Sequence, residues 1–470
     1  MKRQHSRRQF LKNTSRVSLG FLGLNSFLGS SLLSCRSIPS TTDDPRLIQK
    51  YGPVVPDPEG ILNLPAGFTY KIIARKGQPM NDGFFHPDKP DGMATFSAPD
   101  GRVIIVRNHE LLTDDFGPFG EKNERFDQLA AQHFYDHGHP GTICKGGTTT
   151  LVFNEQSQEV EMAYLSLAGT LRNCAGGRTP WNTWITCEEI FVNENEEKLQ
   201  QNHGYNFEVP ASASVVRAEP IPLKAMGRFN HEAVCVDPKT GIVYQTEDQH
   251  DGLFYRFIPY VPGQLRQGGR LQALAVKGQK SLDTRNWETA NIPTKTAFAV
   301  EWIDMEEVDP QKDELRLIGF DKGAARFARG EGTWFGQNEL FFACTNGGAT
   351  KTGQVFRYRP SPYEGTPQEQ TESGQLELFL EPNNTALLQH CDNLTIAPWG
   401  DVILCEDRAH PNIVGVTPQG QYYRLSENIG FSSEFAGGVF SPSGKTFFVN
   451  IQHAGLTLAI QGPWTTGVVG

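Results

Sequence analysis

Long apolar runs are missing from this sequence. No stretch reaches the roughly 20 residues that a membrane-spanning helix needs, and the mean hydropathy is −0.42. An integral helical membrane protein is therefore excluded. Basic clusters are equally scarce. Residues 1–34 hold six basic residues (Lys2, Arg3, Arg7, Arg8, Lys12, Arg16) and no acid, which leaves 37 basic against 53 acidic residues beyond them, a formal charge of −16. So acidic a body repels nucleic acid unless it carries a local basic patch, and no Lys/Arg cluster or aromatic–basic motif is present. Cysteine is sparse and unpaired in pattern. Seven follow Cys35 (Cys144, Cys174, Cys187, Cys235, Cys344, Cys391, Cys405), an odd number without C-x-x-C spacing, so neither a zinc knuckle nor a disulfide framework is indicated. There is no G-x-S-x-G elbow and no P-loop. Helical periodicity is confined to Phe126–Tyr135 and the charged segment Glu194–Gln201.

What the chain does have is turn formers. Its 470 residues include 48 glycines and 30 prolines, scattered without period among short Val/Ile/Phe/Thr runs, which points to an all-β architecture. At the N-terminus, Ser6-Arg7-Arg8-Gln9-Phe10-Leu11-Lys12 precedes a mildly apolar stretch from Val17 to Leu33. This reads as a twin-arginine export signal over residues 1–34, with residues 35–470 as a single domain. Leu32-Leu33-Ser34-Cys35 resembles a lipoprotein processing box with Cys35 as the lipidated residue; an ordinary signal-peptidase cut nearby is the alternative. Either way the mature protein is expected outside the cytoplasmic membrane, periplasmic or at the outer surface.

From residue 45 onward a short unit recurs: a Pro/Asp/Gly turn, an apolar strand, then an abrupt acid or amide. It appears at Val103–Val106 before Asn108-His109-Glu110, at Trp184–Cys187 before Glu188-Glu189, and at Ile242–Tyr244 before Thr246-Glu247-Asp248. It returns at Glu339–Ala343 before Thr345-Asn346, at Val402–Cys405 before Glu406-Asp407, and at Thr446–Val449 before Asn450. Six such units predict a six-bladed β-propeller with insertions and few helices. Polar strand ends would then converge on one mouth of the central channel. Converging carboxylates cannot be buried as bare charges, so a metal-filled channel follows. Asp, Asn and Glu ending strands for local turn reasons is the plainer account of any one unit.

Five clusters carry chemistry. Cys174, flanked by Asn173 and Ala175-Gly176-Gly177, reads as a loop cysteine that lies one strand before Glu188-Glu189. Thiolate with carboxylates suits iron or zinc, whereas calcium takes oxygen alone. A free nucleophilic cysteine is the rival reading, but no nearby histidine would activate it. Gly227-Arg228-Phe229-Asn230-His231-Glu232 precedes Asp248; in Arg329-Gly330-Glu331-Gly332 the Arg329 fork suits a phosphate or carboxylate, or a plain salt bridge. Cys391-Asp392-Asn393 reaches Glu406-Asp407-Arg408, and Glu434-Phe435-Ala436-Gly437-Gly438 closes the series.

NCAGGRTPWNTWITCEE (173–189), GRFNHEAVCVDPKTGIVYQTED (227–248), RGEG (329–332), CDNLTIAPWGDVILCEDR (391–408), FAGGVFSPSGKTFFVNIQHAG (435–455) and Gly462-Pro463-Trp464 together resemble the PhoX-type bacterial alkaline phosphatases. The resemblance implies a six-bladed propeller phosphomonoesterase with a mixed iron (Fe3+) and calcium (Ca2+) cluster in the channel mouth. It implies Cys174, Glu188 or Glu189, Glu232 and Glu331 as metal ligands, with Asp248 and Asp392 or Asp407 as further ligands toward calcium. Arg329 is similar to a phosphate-binding arginine, and Arg408 is a second candidate for the substrate. Asn182 stands where the family has a glycine. The expected partners are small phosphate esters and the twin-arginine translocation machinery, with the chain a monomer that touches a membrane at most through a lipid on Cys35. Competing readings are a calcium-dependent lactonase or phosphodiesterase and a non-enzymatic lipid-anchored propeller; the Cys174 motif argues against a calcium-only site.

Overall fold

Every recurring apolar unit of the sequence becomes the second strand of a four-stranded or three-stranded antiparallel meander. The computed structural model describes residues 44–195 and 198–464; the twin-arginine segment and the Leu32–Cys35 box lie outside these described residues. Five sheets hold the described strands. The first runs in chain order through Pro90–Ser97, Val103–His109, Gly146–Asn154 and Glu159–Thr170. The second contains Asn173–Arg178, Thr183–Glu188 and Asn206–Pro210. A ten-stranded sheet joins two runs edge to edge. One begins at His231–Val236, the other at Gly330–Gly336, and Ala297–Met305 bridges their outer strands Gly269–Val276 and Gln375–Leu380. The fourth sheet starts at Cys391–Ile396, followed by Val402–Glu406, Asn412–Val416 and Tyr422–Asn428, with Leu62–Pro65 and Val54–Val55 added at its edge.

The fifth sheet draws on both ends of the chain. Phe435–Phe440, Thr446–Ile451 and Leu456–Gln461 are completed by Thr69–Arg75, which pairs from Gln461↔Thr69 to Leu456↔Arg75. Trp464 reinforces this junction, stacking on Trp399 and meeting Phe68 edge-on at 4.8 Å. Such aromatic pairs add about 0.5–1.5 kcal/mol beyond area burial. The first strands of the six runs pack side by side in chain order, and Phe435–Phe440 packs back on Pro90–Ser97. The arrangement is all-β and propeller-like. Apolar clusters fill the spaces between neighbouring sheets, as where Val103, Ile105, Leu151 and Phe153 meet Val439, Phe448 and Ala459.

Helix is minor, and the two segments with helical spacing do not form helices. Phe126–Tyr135 breaks into two single 3-10 turns, Phe126–Gln128 and Ala131–His133. Ten residues without a capping side chain cannot offset the nucleation cost of an α-helix. The described part of Glu194–Gln201 is a turn closed by an Asn195↔Leu199 bridge. The α-helix that does form among the described residues is Leu315–Lys322. No helix among the described residues is long and apolar enough to cross a membrane.

Candidate metal centre

All six first strands carry the same irregularity. Their pairing with the second strand slips by one residue between Pro90 and Met93, Asn173 and Gly176, and His231 and Val234. The slip recurs between Gly330 and Thr333, Cys391 and Leu394, and Ala436 and Val439. A bulge inserts an unpaired residue and re-aims its side chain. In five of the strands the first unpaired residue carries a donor: Asp91, Cys174, Glu232, Glu331 and Asp392; in the sixth, Gly437 and Gly438 occupy the bulge. The residue after four of the donors is glycine or alanine (Gly92, Ala175, Ala233, Gly332) because the strands crowd together there, and Asn393 follows Asp392. A Cβ on Gly92 would stand 2.5 Å from the Ala175 Cα, and one on Gly332 would stand 2.7 Å from the Leu394 amide nitrogen.

A second set of acids arrives from the ends of the second strands, where adjacent residues part company. Glu188, Glu247 and Glu406 are consumed inside their own runs. Glu188 accepts from the amides of Leu171, Gly204 and Tyr205 and from His203; Glu247 accepts from the Leu253 amide and the Tyr255 hydroxyl. Glu406 accepts from the Gln389 and Asn412 amides and from Arg408. Their successors turn to the channel. Glu189 joins Cys174 and Glu232, and Asp407 joins Asp392 and Glu434, with one donor atom of each residue within 4.8 Å of the others. Glu232, Glu331 and Asp392 form a third group of the same kind, so Glu232 and Asp392 are each shared between two groups. Asp248 takes the remaining place beside Arg329.

The predicted residues therefore divide. Cys174, Glu189, Glu232, Glu331, Asp392 and Asp407 are brought together. Glu188 is turned away by the strict alternation of side chains along a strand. Asp248 accepts both prongs of Arg329, at 2.7 and 2.8 Å, and the same guanidinium faces Glu331 at 2.9 Å. Arg408 is tied to Glu406 at 2.7 Å and belongs to that loop's own bonding. Cys174 is not in a loop: it sits buried at the bulge of Asn173–Arg178. Asn182 does occupy a glycine-like backbone, with φ +62°.

Two participants, Asp91 and Arg172, carried no role in the sequence reading, and Glu434 stood in the fifth cluster without being named a ligand. Asp91 is the bulge donor of the first run, and Glu434 completes the Asp392 group. Arg172 bridges Glu110 and Glu189 at 2.6 and 2.7 Å, as Arg329 bridges Asp248 and Glu331. Arg172 and Arg329 each lie two residues before a bulge donor, and both backbones are left-handed, with φ +46° and +55°. Lys89 and His390 hold the corresponding place before Asp91 and Asp392, with φ +42° and +53°. Holding a non-glycine residue there costs about 1 kcal/mol or more and recurs at functional sites. The signal that would have found Asp91 is the acid–glycine step it shares with Glu331-Gly332.

Burial makes these groups poor anions by themselves. It pushes Glu232, Glu331, Glu189, Asp91 and Glu434 well above the usual carboxylate range, helped by the charges of their neighbours. Asp392 is pushed up to about 7 by burial and then by Asp407. Burial likewise holds the Cys174 thiol well above its ordinary value. Both carboxylate oxygens of Glu232 are buried and accept no hydrogen bond. Buried acceptors without donors cost several kcal/mol unless a cation meets them. The donor set therefore fits metal ions.

Converging strands with clustered buried carboxylates define a class, all-β propeller-like proteins whose donor groups fit metal ions. A family model described as Alkaline phosphatase PhoX matches residues 49–455. Among solved structures, Pseudomonas fluorescens PhoX in complex with vanadate, a transition state analogue, is similar at TM-score 0.60 and 16% identity, covering 86% of this chain and 96% of that one. Weaker likenesses are to XC5397 from Xanthomonas campestris, a gluconolactonase (TM-score 0.39, 10% identity, 88% and 98% covered), and to an auxiliary nutrient binding protein from Bacteroides ovatus (TM-score 0.41, 9%, 84% and 78%). No curated protein matches. The chain belongs to the PhoX alkaline phosphatase family. It is a phosphoric monoester hydrolase of a metal-dependent family.

Proposed function

We propose that this chain hydrolyses phosphate monoesters at an iron–calcium centre in the mouth of a six-bladed propeller, after export through the twin-arginine route. The observation that carries the reading is the chain of three donor groups sharing Glu232 and Asp392. The first group mixes a thiol with two carboxylates, which suits iron; the other two offer oxygen alone, which suits calcium. Six first strands with a common bulge, packed in a closed succession, support the blade count. The basic start, Arg7-Arg8 and Cys35 support export and a lipid anchor.

Cys174, Glu189 and Glu232 would hold the iron side, and Glu331, Asp392, Asp407 and Glu434 the calcium side. Iron and calcium, when bound, supply Lewis-acid charge that neutralises phosphate oxygens and activates water. The protein's own part is positioning. Asp248 holds Arg329 over the donors through Nε and Nη2, which leaves Nη1 to donate to an oxygen of a transferring phosphoryl group and offset its growing negative charge. Arg172, anchored by Glu110, keeps Glu189 aimed into the channel. Gln452 performs the same service for Asp91, donating to its Oδ2 at 2.6 Å. The bulge glycines Gly92, Gly332 and Gly437, with Ala175 and Ala233, leave a small cavity among the first strands.

The test is metal analysis of the purified mature protein with p-nitrophenyl phosphate hydrolysis by wild type and Cys174→Ala. Iron plus calcium, with hydrolysis that collapses in the variant, supports the reading. Calcium alone, with no hydrolysis, overturns it.

A further inference from the structure

Beside Arg329 stands a group of side chains that the phosphoryl site does not use. The amide of Arg329 donates to the Gln249 carbonyl at 2.9 Å, and the Thr345 amide donates to the Arg329 carbonyl at 3.0 Å. The next residue on each of those segments is therefore fixed at the rim. These are His250 and Asn346, joined through Asn346 Nδ2 and His250 Nδ1 at 3.0 Å. Trp287 is brought to them by the segment between Gly269–Val276 and Ala297–Met305, its indole N–H donating to the Asn346 carbonyl at 2.7 Å. Arg285 lies 4.1 Å and Lys351 4.7 Å from the Trp287 ring centre.

The charges at this mouth are otherwise spoken for. Arg329 is paired with Asp248 and Glu331, Arg172 with Glu110 and Glu189, Lys89 with Asp115, Arg408 with Glu406 and Arg285 with Asp283. Lys351 is exposed and makes no ion pair or side-chain hydrogen bond among the described residues. A cation held over an indole face is restrained in position yet keeps its charge for a ligand.

We propose that Lys351, positioned by Trp287 and flanked by His250, forms a subsite for the alcohol part of the substrate when that part carries a second phosphate group. An ammonium binds phosphate as a point charge without demanding one orientation, which suits an ester whose two phosphates vary in spacing. The subsite rests on the phosphatase reading and makes the enzyme favour bisphosphorylated compounds over esters of neutral alcohols. The contact is the same in ground and transition state, so it acts on KM.

The full mature protein, loaded with iron and calcium, is assayed on glucose 1,6-bisphosphate and glucose 1-phosphate as wild type and as Lys351→Met. Wild type favours the bisphosphate in kcat/KM, and the variant's preference falls about fivefold, as the loss of an exposed ion pair predicts. An unchanged preference overturns the proposal. Tryptophan fluorescence gives a reading independent of turnover. Glucose 1,6-bisphosphate shifts the emission of wild type, and Lys351→Met needs about fivefold more ligand for the same shift. Equal titrations, or no response, overturn the subsite, whereas failure of wild type to hydrolyse any monoester, with this titration intact, overturns only the phosphatase reading.

Discussion

In the group formed by Asp136, Cys144 and His203, every carboxylate oxygen has a donor. Asp136 accepts from the amides of Gly138, Gln200 and Gln201, and His203 donates to Asp136 at 3.2 Å and to Glu188 at 2.6 Å. In the channel group formed by Glu232, Glu331 and Asp392, the two buried oxygens of Glu232 have none. The first group is buried throughout and the second in Glu232 and Glu331, and both contain recognised metal-ligand types within 4.8 Å. What separates them is the use of lone pairs. A histidine clasped between two carboxylates is a protonated imidazolium that already supplies the cation; its neighbours raise its pKa well above the ordinary value against the opposing effect of burial. The first group is a clamp between loops, and the second keeps lone pairs that fit cations from outside.

That contrast can be broken most severely at Glu232. Glu232→Gln should release metal from two of the three groups and lower kcat/KM on p-nitrophenyl phosphate on the order of a thousandfold; metal analysis and initial rates check it, and full metal content would sink the shared-ligand assignment. His203→Ala should leave metal stoichiometry unchanged while lowering stability by about 3–5 kcal/mol, because Asp136 and Glu188 lose their counter-charge. Urea unfolding followed by metal analysis decides this, and loss of a metal equivalent would contradict the clamp.

A pH series sharpens the comparison further. The channel carboxylates have raised folded values, Asp392 at about 7, against about 4 when unfolded. The folded metal-free protein thus holds protons that the unfolded chain has released, and stability falls as pH rises from about 4 through 7. Chelator-treated protein should show a lower Tm at pH 8 than at pH 5.5, and restoring metal should remove most of the difference. The His203 clamp loses stability in the same direction, but metal cannot restore it. The smallest effect belongs to Arg408. Its bond to Glu406 is half-exposed, so Arg408→Ala should cost under about 1 kcal/mol and change kcat/KM less than threefold, whereas Arg329→Ala should lower kcat/KM by about a hundredfold or more.

Much of the fold was legible because each second strand is a compact apolar run after a turn, a signal contained in six consecutive residues. The donors Cys174, Glu232 and Glu331 were legible for a related reason, since each stands before a glycine or alanine at the start of a strand, and Asp392 stands beside Asn393 at the start of another. Asp91 escaped because Pro90-Asp91-Gly92 reads as an ordinary turn. The choice between Glu188 and Glu189 was invisible, since both are acids at a strand end and alternation alone assigns their faces. Arg329 reads in the sequence as an arginine for phosphate and Asp248 as another ligand, and nothing local shows that the two are paired.

By itself, then, the sequence determined which residue types recur at which points of each run, because apolar periodicity and turn chemistry are local. Only the tertiary structure decided which of those acids face one another. Six first strands bring their bulges together, five of them with a donor, and whether a carboxylate meets an amide, an arginine or nothing depends on residues as far apart in the chain as Asp91 and Gln452. Desolvation acts on that spatial arrangement alone, and it is what turns clustered acids into a site for cations.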